Sequence, residues 1–108
     1  MSIERIMKNY IPMTETAFYI LLSLYEPRHG YGIIRIVDEI THGRIVLGSG
    51  TVYGSLTKMQ RDGIVAVYSN EERKTVYEIT NSGRELLKLE IKRLNELQQN
   101  AAELGVRF

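Results

Sequence analysis

Cysteine is absent from all 108 residues. That excludes a disulfide framework, a thiolate zinc site and a cysteine nucleophile, and it fits a chain expected to work in the reducing cytoplasm. Long apolar runs are missing too, so no segment reads as a bilayer span. The first ten residues interleave Glu4, Arg5 and Lys8 with isolated apolar side chains and lack the apolar core of a signal peptide. No membrane partner is therefore expected. An excess of one charge is also lacking: the net charge is +1, a weak footprint for a nucleic-acid binder. Between Arg28 and Asp62, however, Arg28, Arg35, Arg44, Lys58 and Arg61 face only Asp38, Glu39 and Asp62. No nucleophile, base and oxyanion donors assemble from visible motifs, so neither an enzyme nor a cofactor is expected.

What is present is ordinary for a folded domain, with 44% hydrophobic and 25% charged residues. A domain of this length buries only about two thirds of its unfolded surface, so an interface between copies would add to its core. Thr14 can cap a helix carrying Glu15, Ala17, Ile20, Leu21 and Leu24, which Pro27 stops. A second helix starts near His29 to Tyr31 and shows Ile33, Ile36, Val37 and Ile40 at core-facing spacing, with Gly43 as a C-terminal cap. A short apolar strand over Ile45 to Leu47 leads to Ser49, which can cap a third helix with Val52, Leu56 and Met59 inward. Gly63 closes that helix, and Ile64 folds back on its last turn.

Ile64 to Ser69 and Thr75 to Thr80 alternate in character and are rich in β-branched and aromatic residues, as one hairpin requires. Thr75, Tyr77 and Ile79 are expected to face inward. The connection, with Glu71, Glu72, Arg73 and Lys74, is expected to stand in water or against a charged partner. From Asn81 to about Leu104 a proline-free run of good helix formers carries Leu87, Ile91, Leu94, Leu97, Gln98 and Ala101 in a seam-like stripe. A helix this long outreaches the domain, so a second copy of the chain is the simplest cover for its distal leucines.

The order helix, helix, short strand, helix, hairpin, long helix is that of a winged helix-turn-helix: α+β, mostly α, with a two-stranded wing and a long C-terminal dimerisation helix. Residues 1–80 would form the DNA-binding domain with its N-terminal helix, and 81–108 the dimerisation helix, as one compact unit. Outside its core stripe the third helix offers Ser49, Thr51, Gly54, Ser55, Thr57, Lys58 and Arg61, a small, hydroxyl-bearing face with basic residues toward its end. Such a face can enter the major groove and donate to bases and phosphates.

The same stretch carries an ordered set of motifs: His29-Gly30-Tyr31-Gly32-Ile33-Ile34, then Gly48-Ser49-Gly50-Thr51-Val52-Tyr53, Asp62-Gly63-Ile64, Arg73-Lys74-Thr75-Val76-Tyr77 and Ile79-Thr80-Asn81-Ser82-Gly83. In these the chain resembles the PadR-like transcriptional regulators, in their short form, from about Thr14 to Leu97. The resemblance implies a homodimeric cytoplasmic repressor on a near-palindromic double-stranded DNA operator. Thr51, Tyr53, Thr57 and Lys58 would be groove and phosphate contacts, and Arg73 and Lys74 wing contacts. It also implies a small aromatic effector at the dimer interface, for which Met7, Tyr10, Met13, Leu94 and Gln98 are the candidate pocket. Gly54 stands where the family commonly has proline, and Leu94 stands about where some members carry an indole.

Plainer readings compete at several positions. His29 fits a helix cap better than a metal ligand, because no ligand cluster surrounds it in sequence. His42 suits a helix end. Gly30 and Gly32 lack the preceding strand of a dinucleotide loop. Tyr53 can pack under the wing rather than meet phosphate, and Lys58, Arg61, Arg73 and Lys74 can be solvated charges. A rival function is a protein-interaction module that keeps the scaffold without specific DNA binding.

Overall fold

The computed structural model describes residues 2–71 and 73–108, with the Glu71 side chain outside the description. Among the described residues there are five helices and a three-stranded antiparallel sheet, in which the last strand along the chain lies between the other two. Helix α1 (Ile3–Tyr10) is capped by the Ser2 hydroxyl, so helix begins well before Thr14, where the sequence places its first one. Ile6 and Tyr10 point inward while Glu4, Arg5 and Lys8 stay exposed; two buried side chains in two turns are too sparse a stripe to read with assurance from sequence.

Helix α2 (Glu15–Ser23) starts at the expected Thr14 cap, whose hydroxyl accepts the Ala17 N–H at 3.1 Å. Strand β1 (Arg28–His29) follows, then α3 (Gly30–Ile40), capped by His29 Nδ1 accepting the Gly32 N–H at 3.1 Å. The structural role expected for His29 is thus its observed one. His42 and Gly43 both take positive φ, and the Gly43 N–H closes the helix end on the Asp38 carbonyl.

Ile45 to Leu47 forms no strand; Leu47 is buried, but the segment lies on no sheet edge. The third strand is β1 instead, paired Arg28 to Tyr77 and His29 to Val76. Helix α4 (Ser49–Arg61) has Gly48, not Ser49, at its N-cap, with no side-chain cap bond. Its far end is as expected: Gly63 sits at φ +80° and the Ile64 N–H donates to the Met59 carbonyl at 3.0 Å.

Strands β2 (Val65–Glu71) and β3 (Lys74–Ile79) form the hairpin, longer than expected, with a register shift between Val67 and Ser69. In β3, Ile79 is buried while Thr75 and Tyr77 are half-buried; the inward face is clear at the base of the wing and fades toward its tip. The wing is tied down at that base. Ile79 N–H donates to the Leu24 carbonyl, Thr80 N–H to that of Ile64, and the Thr80 hydroxyl to that of Gly63 at 2.7 Å.

Helix α5 (Asn81–Glu103) starts from Thr80, whose hydroxyl caps Gly83 N–H. At about 1.5 Å per residue it runs some 34 Å. Its first turns close the core: Leu86 and Leu87 join Ile20, Leu21, Leu24, Ile33, Leu56, Met59 and Ile64, all under 3% exposed. Gly83 is required by close approach, because a Cβ there would overlap the Ile64 carbonyl oxygen and lie 2.7 Å from Ile79 Cγ1. Leu87, expected in a dimer seam, is 1% exposed within the protomer and is therefore a core residue of it. No helix among the described residues is long and apolar enough to cross a membrane.

Candidate nucleic-acid interface

The candidate surface is built on α4. Val52, Leu56 and Met59 fix it to the core, and this registers the rest of the helix outward. Ser49, Thr51, Tyr53, Gly54, Thr57, Lys58 and Arg61 are all exposed, as the sequence implies, while Ser55 is half-buried. A Cβ at Gly54 would meet nothing within 4 Å, so this face is unobstructed. The Thr57 hydroxyl donates back to the Tyr53 carbonyl at 2.9 Å, leaving its lone pairs as acceptors.

The cations divide into two kinds. Arg44 is held bidentately by Glu15 at 2.7 and 3.1 Å, Arg35 reaches Glu39 at 4.0 Å, and Arg28 lies 3.6 Å from Glu26 while donating to the Ser23 carbonyl. Lys58 sits 3.5 Å from the buried Asp62 carboxylate and 4.0 Å from the Tyr10 ring centroid. No acid among the described residues pairs with Arg61. The basic excess along the sequence is thus smaller on the surface than counting suggests, because four of its five arginines and lysines, Arg28, Arg35, Arg44 and Lys58, lie against carboxylates.

The structure joins α4 to the wing. A cleft of about 350 Å³ is lined by Tyr53 from α4, Arg73 and Lys74 from the wing, and His29 and Tyr31 from the start of α3, with Thr75 and Tyr77 behind them. Tyr53 is held there by a missing side chain: a Cβ on Gly30 would lie 2.6 Å from its ring. Tyr53 is 48% exposed, so it packs against α3 and still presents a free face. His29 and Tyr31 stack with centroids 6.5 Å apart. Neither was a site candidate from sequence, although both stand in the His29-Gly30-Tyr31 motif. Glu72, named with the hairpin connection in the sequence, lies outside the described residues.

Over this geometry, a model of the PadR-like transcriptional regulator family matches residues 19–89. The chain belongs to that family. Its members are transcriptional regulators rather than enzymes. Among solved structures, a transcriptional regulator from Clostridium thermocellum is similar over 99% of both chains, at 24% identity and a TM-score of 0.71. A PadR-like transcription factor from Bacteroides fragilis matches over 83% of this chain and 88% of its own, at 22% identity and a TM-score of 0.69. These likenesses carry the fold. An uncharacterized 37.1 kDa protein of transposon Tn4556 from Streptomyces fradiae is 30% identical over 80 residues, which are 74% of this chain and 23% of that protein. The chain thus spans less than a quarter of that relative's length.

Of the residues proposed from sequence for an effector, Tyr10 is turned away from solvent, and its hydroxyl donates to Asp62 at 2.7 Å on the α4 side; burial and the Asp62 carboxylate push that phenol's pKa well up. Leu94, by contrast, is 42% exposed on α5. The Met13 N–H is taken by the buried Glu90 carboxylate at 2.7 Å. The burial of Glu90 and Asp62 has no signal in the sequence. Glu90 sits one residue before the exposed Ile91 in a run of charged helix formers, and only packing of α1 and the α1–α2 connection over α5 buries it.

Proposed function

We propose that this chain is a homodimeric cytoplasmic repressor that binds a near-palindromic double-stranded operator, with residues 1–80 reading DNA and the distal part of 81–108 pairing the protomers. The observation carrying the reading is the continuity of an exposed, carboxylate-poor α4 face with the wing cations across one cleft. Thr51, Gly54 and Thr57 would meet the major groove, Ser49 and Arg61 the backbone at either end of the helix, and Tyr53, Arg73 and Lys74 the backbone beside the wing. Lys58 would exchange Asp62 for a phosphate, an exchange of one anion for another that its half-exposed side chain permits.

A second copy is supported by the distal half of α5, where Ile91, Leu94 and Leu97 are 40 to 52% exposed in the protomer. Gln98 and Ala101 continue that stripe. Pairing through it would set the two α4 helices about one DNA turn, about 34 Å, apart. A small aromatic effector would meet Met7, Met13, Leu94 and Gln98 near this interface, without Tyr10, which is committed to Asp62.

Fluorescence anisotropy against labelled duplex from upstream of the chain's own gene, across a salt series, tests the reading. Sub-micromolar binding that exceeds binding to random duplex, falls steeply with salt and weakens in a Lys58→Ala/Arg73→Ala variant is the expected result. Equal, weak binding to every duplex favours instead an interaction module that uses the apolar α5 face.

A further inference from the structure

We propose that Tyr10 and Asp62 are positioning residues for the phosphate contact of Lys58: the Asp62 carboxylate competes with DNA for the ammonium, and the Tyr10 phenol, by donating to that carboxylate, keeps the competition weak enough for DNA to win. The inference rests on the regulator reading and deepens it, by naming the groups that set how readily one cation of α4 is released.

One carboxylate oxygen serves two donors. Asp62 Oδ2 accepts the Tyr10 hydroxyl at 2.7 Å, and the same atom lies 3.5 Å from Lys58 Nζ. A charge-assisted bond between an ammonium and a carboxylate closes to about 2.7–2.9 Å. The short bond therefore belongs to the phenol, and the ammonium is left with a long one. The O–H dipole offsets part of the negative potential at Oδ2, and with it the hold on Lys58. Asp62 is 7% exposed, so water does little to screen what remains. Tyr10 also stays a donor across the physiological range: burial first, then the bond to Asp62, raises its pKa against a smaller opposite pull from Arg61.

Lys58 is steered without being enclosed. Its Nζ lies 4.0 Å from the Tyr10 ring centroid, yet half of its side chain is exposed. A long side chain kept near its bound position loses less rotamer freedom when it meets a phosphate. The phenol is placed from outside the recognition helix. Helix α1 packs on α5, and the Met13 N–H just beyond it is fixed to Glu90 of α5. Tyr10 thus reaches Asp62 from a frame that α4 does not supply.

The test measures the affinity of the intact protein for its upstream duplex and for random duplex, in single variants and in a Lys58→Met background. Lys58→Met alone should weaken both duplexes and lower the salt slope by about 0.9, the value for one phosphate. Asp62→Asn keeps the side-chain volume and an acceptor for the phenol while removing the competing charge. It should tighten binding to both duplexes by about 2- to 5-fold, the range of a half-exposed ion pair given up. Tyr10→Phe keeps the ring beside Lys58 and returns the whole carboxylate to it, so binding should weaken by a similar factor. Added to Asp62→Asn, Tyr10→Phe should have no further effect, and in the Lys58→Met background neither change should shift affinity by more than about 1.5-fold. Wild-type affinity in Lys58→Met or in Asp62→Asn overturns the inference. So does a gain or loss that persists undiminished without Lys58, the mark of general charge repulsion or of packing alone. Should Tyr10→Phe lose its helical circular dichroism, Asp62→Asn with and without Lys58 decides. In each of these cases the wild type still binds DNA and the regulator reading stands. A wild-type protein that binds no duplex overturns that reading, and the inference with it.

Discussion

Replacing Glu90 by glutamine keeps the side-chain volume and removes one buried charge, and the structure sets the size of the effect. Glu90 Oε2 accepts the Met13 N–H at 2.7 Å and Arg93 Nη2 at 3.0 Å, while Oε1 accepts Arg93 Nε at 2.6 Å. The carboxylate is 2% exposed and Arg93 a third exposed. A hydrogen bond to a buried charged group contributes about 1.5–3 kcal/mol. The Arg93 pair adds less than about 1 kcal/mol, since the freed guanidinium can turn to water. Glutamine retains one acceptor but sets an NH2 against a donor, so Glu90→Gln should cost about 2–4 kcal/mol at pH 7. The cost is pH-dependent. Arg93 first, and then the Met13 N–H, hold the Glu90 carboxyl below its ordinary value of 4.5 against the opposing effect of burial. A depressed pKa gives stabilisation that is full above 4.5 and lost as pH falls through the folded value. Urea denaturation of both proteins, at one protomer concentration and at pH 7 and pH 3.5, should therefore show a gap that narrows at the lower pH. A gap under about 0.5 kcal/mol at pH 7, or one unchanged at pH 3.5, would refute the reasoning.

Gly83→Ala should destabilise by about 3 kcal/mol or more, because its Cβ meets the Ile64 backbone carbonyl, which cannot move without opening the base of the wing; a urea midpoint within error of wild type contradicts this. Gly30→Ala meets only the far end of the half-exposed Tyr53 ring, so stability should fall by about 1 kcal/mol or less while DNA affinity drops several-fold as the ring is displaced. Equal affinity with retained fold would show that the position of Tyr53 does not matter. Leu94→Glu/Leu97→Glu should give monomers in sedimentation velocity without unfolding the protomer, since both side chains are exposed in it; persistence of a dimer would place the interface elsewhere.

Much of the fold was legible because its signals are local. Thr14 and Gly63 mark helix ends through their own hydroxyl and positive φ, Ile33 and Val37 or Leu56 and Met59 repeat at helical spacing, and the hairpin alternates. The errors fall where a neighbour distant in sequence decides. Ile45 to Leu47 has strand composition but no edge to join, whereas Arg28 and His29, with nothing in their composition to mark them, become a strand because β3 offers them an edge at Val76 and Tyr77. Likewise Leu87 and Ile91 are four apart on one stripe, yet one is core and the other exposed, because the packed domain ends between them.

Sequence alone determined helices α2 to α5 and the hairpin, the outward face of α4 and the family, since these depend on periodicity, caps and an ordered set of short motifs. Tertiary structure decided which charges remain available, by setting Glu15 on Arg44 and Asp62 on Lys58. It also buried Glu90 and Tyr10, and it gathered His29, Tyr31 and Tyr53 with Arg73 and Lys74 into one cleft. Pairing, burial and convergence are relations between side chains distant along the chain, so no local pattern encodes them.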